Sequence, residues 1–546
     1  MHRLHKFLGL IRQRRTPVVE FHGLLRRAGP LCFAFFMVAC ASQDSSAPLG
    51  YDEARAQHLF TAGYQDVADI YIHEVAVADL AVAGLSSLAI IDPAIGIQSN
   101  GGRLRITIDG RQMASYPLPD DNDAQAWGML TASVISAARY HSKELDQADP
   151  ERLYEAVFDG LLSQLDSFSR YAGRDAAREN RASRDGFGGI GVRIRVIEEG
   201  VLVLSVMENT PAEGAGLRKD DLIVAIDGSR VEGLSQEDVV DLLRGRSGSE
   251  VRLSIEREET RGLVSAAVVR SHIVPQTVAY HPEGNLAYIR LSGFNKRTAD
   301  GLRQKIAQAQ NELGSDLRGY ILDLRGNPGG LLEQAIAVSD IFVTSGRIVS
   351  THGRHTDSHQ YFPAEESVRG DLTSNAPLVV LIDGGSASAS EIVAAALQDS
   401  GRAVLVGSSS FGKGTVQTVL PMPNSGEFIL TWARFHAPSG YALHRRGVLP
   451  DICTTGEVAT PADVVALMQS GALPIAGELR RLEVDSEDEA AVESLRAYCP
   501  TREGDEEIDL QVAHQLLEEP ALYARALHGV ADTAASAAPA VAGSGS

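Results

Sequence analysis

PLVVLIDGGSASASEIVAAALQDSGRAVLVGSSSFGKGTVQTVLPM, residues 377–422, reads as strand, loop, helix, strand, loop and strand in close succession. Leu378–Ile382 is a continuous apolar run rich in β-branched residues, the pattern of a strand covered on both faces. Ala389–Asp399 has helical spacing, Ala403–Val406 is a second short apolar run, and Val416, Val419 and Leu420 alternate as in a strand. Such alternation predicts an α/β unit. Its two loops, Gly384–Ser390 and Ser410–Thr415, are built from small residues that let backbone and ligand approach closely. Each loop holds one reactive side chain, Ser388 and Lys413. A hydroxyl is a weak nucleophile until a neighbour takes its proton. A lysine can do so only where burial keeps it neutral.

Each of these residues also has a plainer reading. Ser388-x-x-Glu391 ahead of an apolar run is a capping box, in which Ser388 would only cap a helix. The two roles are compatible, because a nucleophile at a helix start gains unpaired N–H groups and the positive end of the dipole. There the Ala389 N–H can face a developing oxyanion. Gly407-x-x-x-x-Gly412-Lys413 matches most of a phosphate-binding loop. Gly414, however, stands where Ser or Thr is needed, and the following residues are strand-like rather than helical. Gln417 shares a strand face with Lys413 and is placed to orient it. Asp399 returns to the helix face of Ser388 but about 16 Å further along, so it is read as helix-end or supporting structure. His436 and His444 lie nearby, but nothing in their spacing demands a histidine base. No cluster has metal-ligand spacing, so neither a metal nor another cofactor is expected.

Working outward, the unit extends over residues 273–470, with strands predicted at Leu286–Leu291, Gly319–Leu324 and Ile429–Ala433, and helices at Thr298–Leu313 and Leu331–Ile341. Between a strand and a helix, Asp323–Gly330 forms a glycine-rich loop able to aim N–H groups at negative charge. Gly329 and Gly330 are its candidate donors. Upstream, Phe187–Val192, a strand at Val201–Val206, a helix at Gln236–Leu243 and a strand at Val251–Glu256 make a small β-rich domain over 185–272. Its Gly189-Ile190-Gly191-Val192 loop offers successive backbone N–H groups at a sheet edge, suited to a peptide carboxylate. Residues 51–184 read as mostly helical, with a strand near Gly102–Gln112 that ends in an Asp109-Gly110 turn. Residues 95–150 suggest no function.

Four stretches in order, ILDLRGNPGG (321–330), GGSASASEIVAAALQDSGRA (384–403), VGSSSFGKGTVQTVLPM (406–422) and TWARFHAPSG…RRGVLPDI (431–452), resemble the C-terminal processing, or tail-specific, proteases. The resemblance spans roughly 150–455. It includes a PDZ-like segment over 185–272, in which Asp220 replaces the usual glycine. It implies a crotonase- or ClpP-like α/β protease core, a Ser388/Lys413 dyad supported by Gln417, and an oxyanion donor from the 323–330 loop. The implied activity is a serine endopeptidase acting near C-terminal or unstructured ends of polypeptides. A PDZ scaffold without activity and a nucleotide-binding protein are the alternatives. Polypeptides are the expected partners, and an adaptor and homo-oligomers stay open.

Composition narrows the setting. A net charge of −21 argues against nucleic-acid partners. Residues 1–39 nevertheless hold seven Lys/Arg against one acidic residue, followed by the apolar run Leu31–Ala39 and then Cys40. This reads as a bacterial lipoprotein signal, with Cys40 lipidated, residues 40–50 as a tether, and the protein anchored to a membrane of the cell envelope on its periplasmic side. A plain cleaved signal with a chance cysteine is the alternative. Cys453 and Cys499 are then an even pair in an oxidising compartment, expected as a disulfide unless both are buried thiols. Residues 471–530 are expected to be a helical segment, and the Ala/Gly/Ser-rich 531–546 a disordered tail.

Overall fold

A computed structural model describes residues 50–257, 262–365, 370–455, 460–470, 482, 484–504 and 507–535. The signal, tether and Cys40 expectations therefore lie outside the described residues, as does most of the tail. The last helix, Pro520–Ala535, runs into the stretch expected to be disordered.

The core is a six-stranded sheet in the order 278–283, 286–291, 319–323, 378–382, 404–407 and 452–453. Its first pair is antiparallel and the rest are parallel. Gly319–Asp323 and Leu378–Ile382 are buried at every position, because helices cover both faces. Alternate residues divide between two hydrophobic clusters, as strand geometry requires. Leu322, Val380, Ile382 and Leu405 pack with the helices Thr298–Leu313 and Ala389–Asp399. Ile321, Val379, Leu381 and Val404 pack with the helices Pro461–Ser470, Glu507–Glu518 and Pro520–Ala535. A second sheet, 360–363, 347–352, 427–436 and 415–421, stands beside this core, and 170–172 pairs with its long strand.

Upstream, the strands 262–269, 250–257, 222–226, 200–206 and 192–197 form an antiparallel sheet with the helix Gln236–Leu243. The strands Phe187–Gly189 and Ser271–Ile273 pair where the chain enters and leaves this domain. Asp220 has φ 70°, the left-handed conformation that explains a glycine preference there. The elements of residues 53–162 are helices and one three-stranded sheet, 95–100, 103–108 and 111–117. The first two of these helices are Glu53–Ile70 and Val77–Ser86. The Asp109-Gly110 turn is a tight hairpin with both φ angles positive, as a two-residue loop demands.

Candidate active site

Three neighbouring parallel strands end at Asp323, Ile382 and Gly407, and from their C-terminal ends spring the three loops singled out by the sequence. Ligands collect at this edge of α/β sheets because loops converge there.

The loop after Ile382 is fixed from below. Asp383 accepts from the N–H groups of Gly326 and Gly385 at 2.8 and 3.0 Å. The Ser386 hydroxyl donates to the Leu324 carbonyl at 2.8 Å. Ser388 then takes φ 56° and ψ −110°, a strained backbone for a residue with a side chain. The helix Ala389–Asp399 begins directly after it. The first-turn N–H groups of a helix have no partner within the helix, which leaves the Ala389 N–H beside the Ser388 side chain.

Glu391 does more than cap this helix. It is wholly buried, and its carboxylate takes four donors. Oε2 accepts from the N–H of Ser388 at 2.7 Å and from the N–H of Lys413 at 2.9 Å. Oε1 accepts from the N–H of Gly412 at 2.7 Å and from the Ser410 hydroxyl at 2.5 Å. One oxygen atom therefore joins the backbones of Ser388 and Lys413 across 25 residues of chain. Burial pushes the Glu391 carboxyl up, and the four donors oppose it.

The Lys413 ammonium lies 5.3 Å from the centre of the Phe168 ring. Burial lowers its pKa, the Arg170 charge lowers it further, and Glu391 and Asp166 act in the opposite sense. His444 also packs against Phe168, edge to face with ring centres 6.3 Å apart, and burial pushes its imidazole down to about 4. His436 stacks on His352 at 4.4 Å and is also lowered by burial. The phosphate-loop reading fails here. A strand, Thr415–Pro421, follows Lys413, and the N–H groups of Gly412 and Lys413 already hold the Glu391 carboxylate.

Other expected residues lie as follows. Gln417 donates its side-chain amide to the Phe168 carbonyl, not to Lys413. Lys413 precedes the strand, which begins at Thr415, so the strand alternation behind the shared-face expectation does not extend to it. Asp399 accepts from the N–H and hydroxyl of Ser439 at 2.9 and 2.6 Å, which makes it a helix-end anchor. Gly329 has φ 97°, and a Cβ there would meet the Ala387 carbonyl at 2.6 Å and the Ser388 Cβ at 2.9 Å. Its N–H is committed to the Asn327 side chain at 2.9 Å. Among the described hydrogen bonds none uses the Gly330 N–H, so of the two glycines Gly330 is the one left to donate. Cys453 and Cys499 form a disulfide with Cα atoms 5.8 Å apart.

Phe168, Arg170 and Asp166 escaped the sequence reading. Their only signal was an Asp turn, and they reach Lys413 because 170–172 pairs with the strand 427–436. At the upstream domain, a cleft of about 100 Å³ is lined by Ile190, Gly191, Val192, Val240, Leu243 and Arg244 among others. Gly191 has φ 86°, and a Cβ there would run into Thr210.

Known proteins share the order of these domains. The model for peptidase family S41 matches residues 285–454, and that for the PDZ domain matches 188–268. The carboxy-terminal-processing protease of Bartonella bacilliformis is 42% identical over 334 residues, 61% of this chain and 76% of the relative. The chain belongs to the carboxy-terminal processing proteases of family S41. The carboxy-terminal processing protease CtpB of Bacillus subtilis is 30% identical over 354 residues, 64% of this chain and 72% of that one. A solved photosystem II D1 C-terminal processing protease is 26% identical, covering 77% of this chain and 98% of its own, with a TM-score of 0.36. The protease is thus a serine-type peptidase with a helical N-terminal region, a PDZ domain and an S41 α/β core.

Proposed function

We propose that the protease cleaves polypeptides by a Ser388/Lys413 dyad. The observation that carries this is the shared Glu391 oxygen, which sets the two backbones side by side. Lys413, whose pKa burial lowers, takes the Ser388 proton in its neutral form as Oγ attacks the scissile carbonyl carbon. The Ala389 and Gly330 N–H groups receive the oxyanion. The lysine then returns its proton to the leaving amine, and it activates water to hydrolyse the acyl-enzyme. The cleft at Gly189-Ile190-Gly191-Val192 suits a chain end, whose carboxylate the backbone N–H groups would hold while Ile190, Val192 and Leu243 meet its last side chains. The basic, apolar and Cys40 sequence of the first forty residues supports a lipid-anchored, periplasmic location.

The test is hydrolysis of an unstructured polypeptide by the wild type, Ser388→Ala, Lys413→Ala and Lys413→Arg, each checked for fold by circular dichroism. All three variants should be inactive, arginine included because it does not give up its proton. A folded Ser388→Ala protein that still cleaves ends this reading.

A further inference from the structure

Behind the two loops lies a stretch of chain with no part in the chemistry above. Arg496 ends the helix Glu489–Arg496. Its guanidinium donates to the Ser410 carbonyl at 2.7 Å, the Arg446 carbonyl at 2.8 Å and the Thr501 hydroxyl at 2.6 Å. The Cys499 carbonyl accepts from the Ser409 hydroxyl at 2.6 Å. The Arg502 carbonyl accepts from the Gly384 N–H at 2.6 Å and the Ser408 hydroxyl at 3.0 Å. The Gly504 N–H donates to Asp383 at 3.0 Å. One segment therefore grips residues 383–384, just before Ser388, and residues 408–410, just before Lys413.

The grip continues inward without a break. Arg496 holds the Ser410 carbonyl, the Ser410 hydroxyl holds Glu391 Oε1, and Glu391 Oε2 holds the N–H groups of Ser388 and Lys413. Arg496 is also the positive charge that Glu391 acts upon. Little apolar packing seats the segment. Cys499 is buried, whereas Ala497, Tyr498, Pro500 and Thr501 are exposed. Its covalent tie is the Cys453–Cys499 disulfide, and Cys453 ends the edge strand of the core sheet.

We propose that residues 496–504 are a positioning clamp for the catalytic loops, with Arg496 as its central positioning residue and the disulfide as the bond that keeps it seated. Peptidase activity then depends on the oxidation state of two cysteines that touch no substrate. A dithiol gives the S–S bond two electrons and two protons, leaving two thiols, and itself closes to a cyclic disulfide. The proposal rests on the reading of Ser388 and Lys413 as the dyad.

The experiment compares full-length wild type, oxidised and dithiothreitol-reduced, with Arg496→Ala, Arg496→Lys and the Cys453→Ala/Cys499→Ala pair. Ser388→Ala serves as control. The readouts are kcat and KM on a chromogenic peptide, thiol titration, and near-ultraviolet circular dichroism. A loosened catalytic geometry costs about 10- to 100-fold in rate. The expected result is that loss in kcat with KM nearly unchanged for the reduced protein, the cysteine pair and Arg496→Ala. Arg496→Lys should keep part of the rate, and reoxidation should restore the wild type. Folded protein with titratable thiols and full kcat overturns the proposal, as does a fall confined to KM. Unfolding of every perturbed form overturns it too, since the segment would then belong to the fold rather than position the site. An active Ser388→Ala control would instead indict the dyad.

Discussion

Glu391→Gln separates positioning from stability. The carboxylate receives four donors, two on each oxygen. An amide has one oxygen, so two donors lose their acceptor. The least costly orientation turns the amide oxygen toward Ser388 and Lys413 and the NH₂ toward Ser410, whose hydroxyl can rotate to accept. That leaves the Gly412 N–H facing an amide N–H. Hydrogen bonds to a charged group contribute about 1.5–3 kcal/mol, and an orphaned buried donor costs about 1–3 kcal/mol. Against this, the neutral amide is spared the desolvation that pushes the Glu391 carboxyl up. The net loss of stability should be about 1–3 kcal/mol, read from urea unfolding. The loss of kcat should be larger, about 100-fold, because Gly412 and with it Lys413 shift relative to Ser388. Glu391→Ala should lose more stability, about 3–5 kcal/mol, as three N–H groups and a hydroxyl are orphaned around a cavity. Near-normal kcat in Glu391→Gln, or a kcat loss no larger than the fall in folded fraction, would refute the positioning role.

Further outcomes follow from the same geometry. Lys413 must be neutral to act, and burial with Arg170 holds its pKa below the ordinary 10.5, so kcat/KM should rise with pH to a plateau, with its midpoint below that value. Arg170→Gln removes a cation that favours the neutral form, so its midpoint should move up, and Asp166→Asn should move it down. A midpoint near 4 would point to His444 instead. Gly329→Ala should lower kcat sharply, since its Cβ would strike the Ala387 carbonyl and the Ser388 Cβ; unchanged kinetics would show that the two loops do not meet. Cys40→Ser should release the protein from the membrane fraction or leave it unprocessed, and a processed variant still in the membrane pellet would contradict the lipid anchor. Among the described residues no helix is long and apolar enough to hold it there.

The core was legible because its strands are largely buried and read as mostly apolar runs, interrupted in Leu286–Leu291 by Arg290. Leu286–Leu291 and Leu378–Ile382, with the helices Thr298–Leu313 and Ala389–Asp399, fall where periodicity puts them. Strand termini drifted by a residue or several; the strand expected at Ile429–Ala433 spans Glu427–His436, since its flanks pair with other strands. Ser388 and Lys413 stood out by their small neighbours. What surrounds them did not, because it is assembled from far away in the chain. Phe168 arrives on a loop more than 200 residues upstream, and Arg496 on a helix more than 80 residues downstream. Glu391 was visible as a cap, but nothing local says that its second oxygen reaches Lys413. The Phe168 carbonyl that Gln417 reaches was likewise out of sight, because it too comes from far upstream.

The dyad itself is tested most directly by where a serine-directed acylating or phosphonylating probe attaches. Oxidised wild type treated with a fluorophosphonate, digested and mapped by mass spectrometry should carry one adduct, on Ser388. Lys413→Ala and Lys413→Arg, folded by circular dichroism, should carry almost none at the same time and pH. An adduct on another serine, or equal labelling of Ser388 without Lys413, would contradict the account.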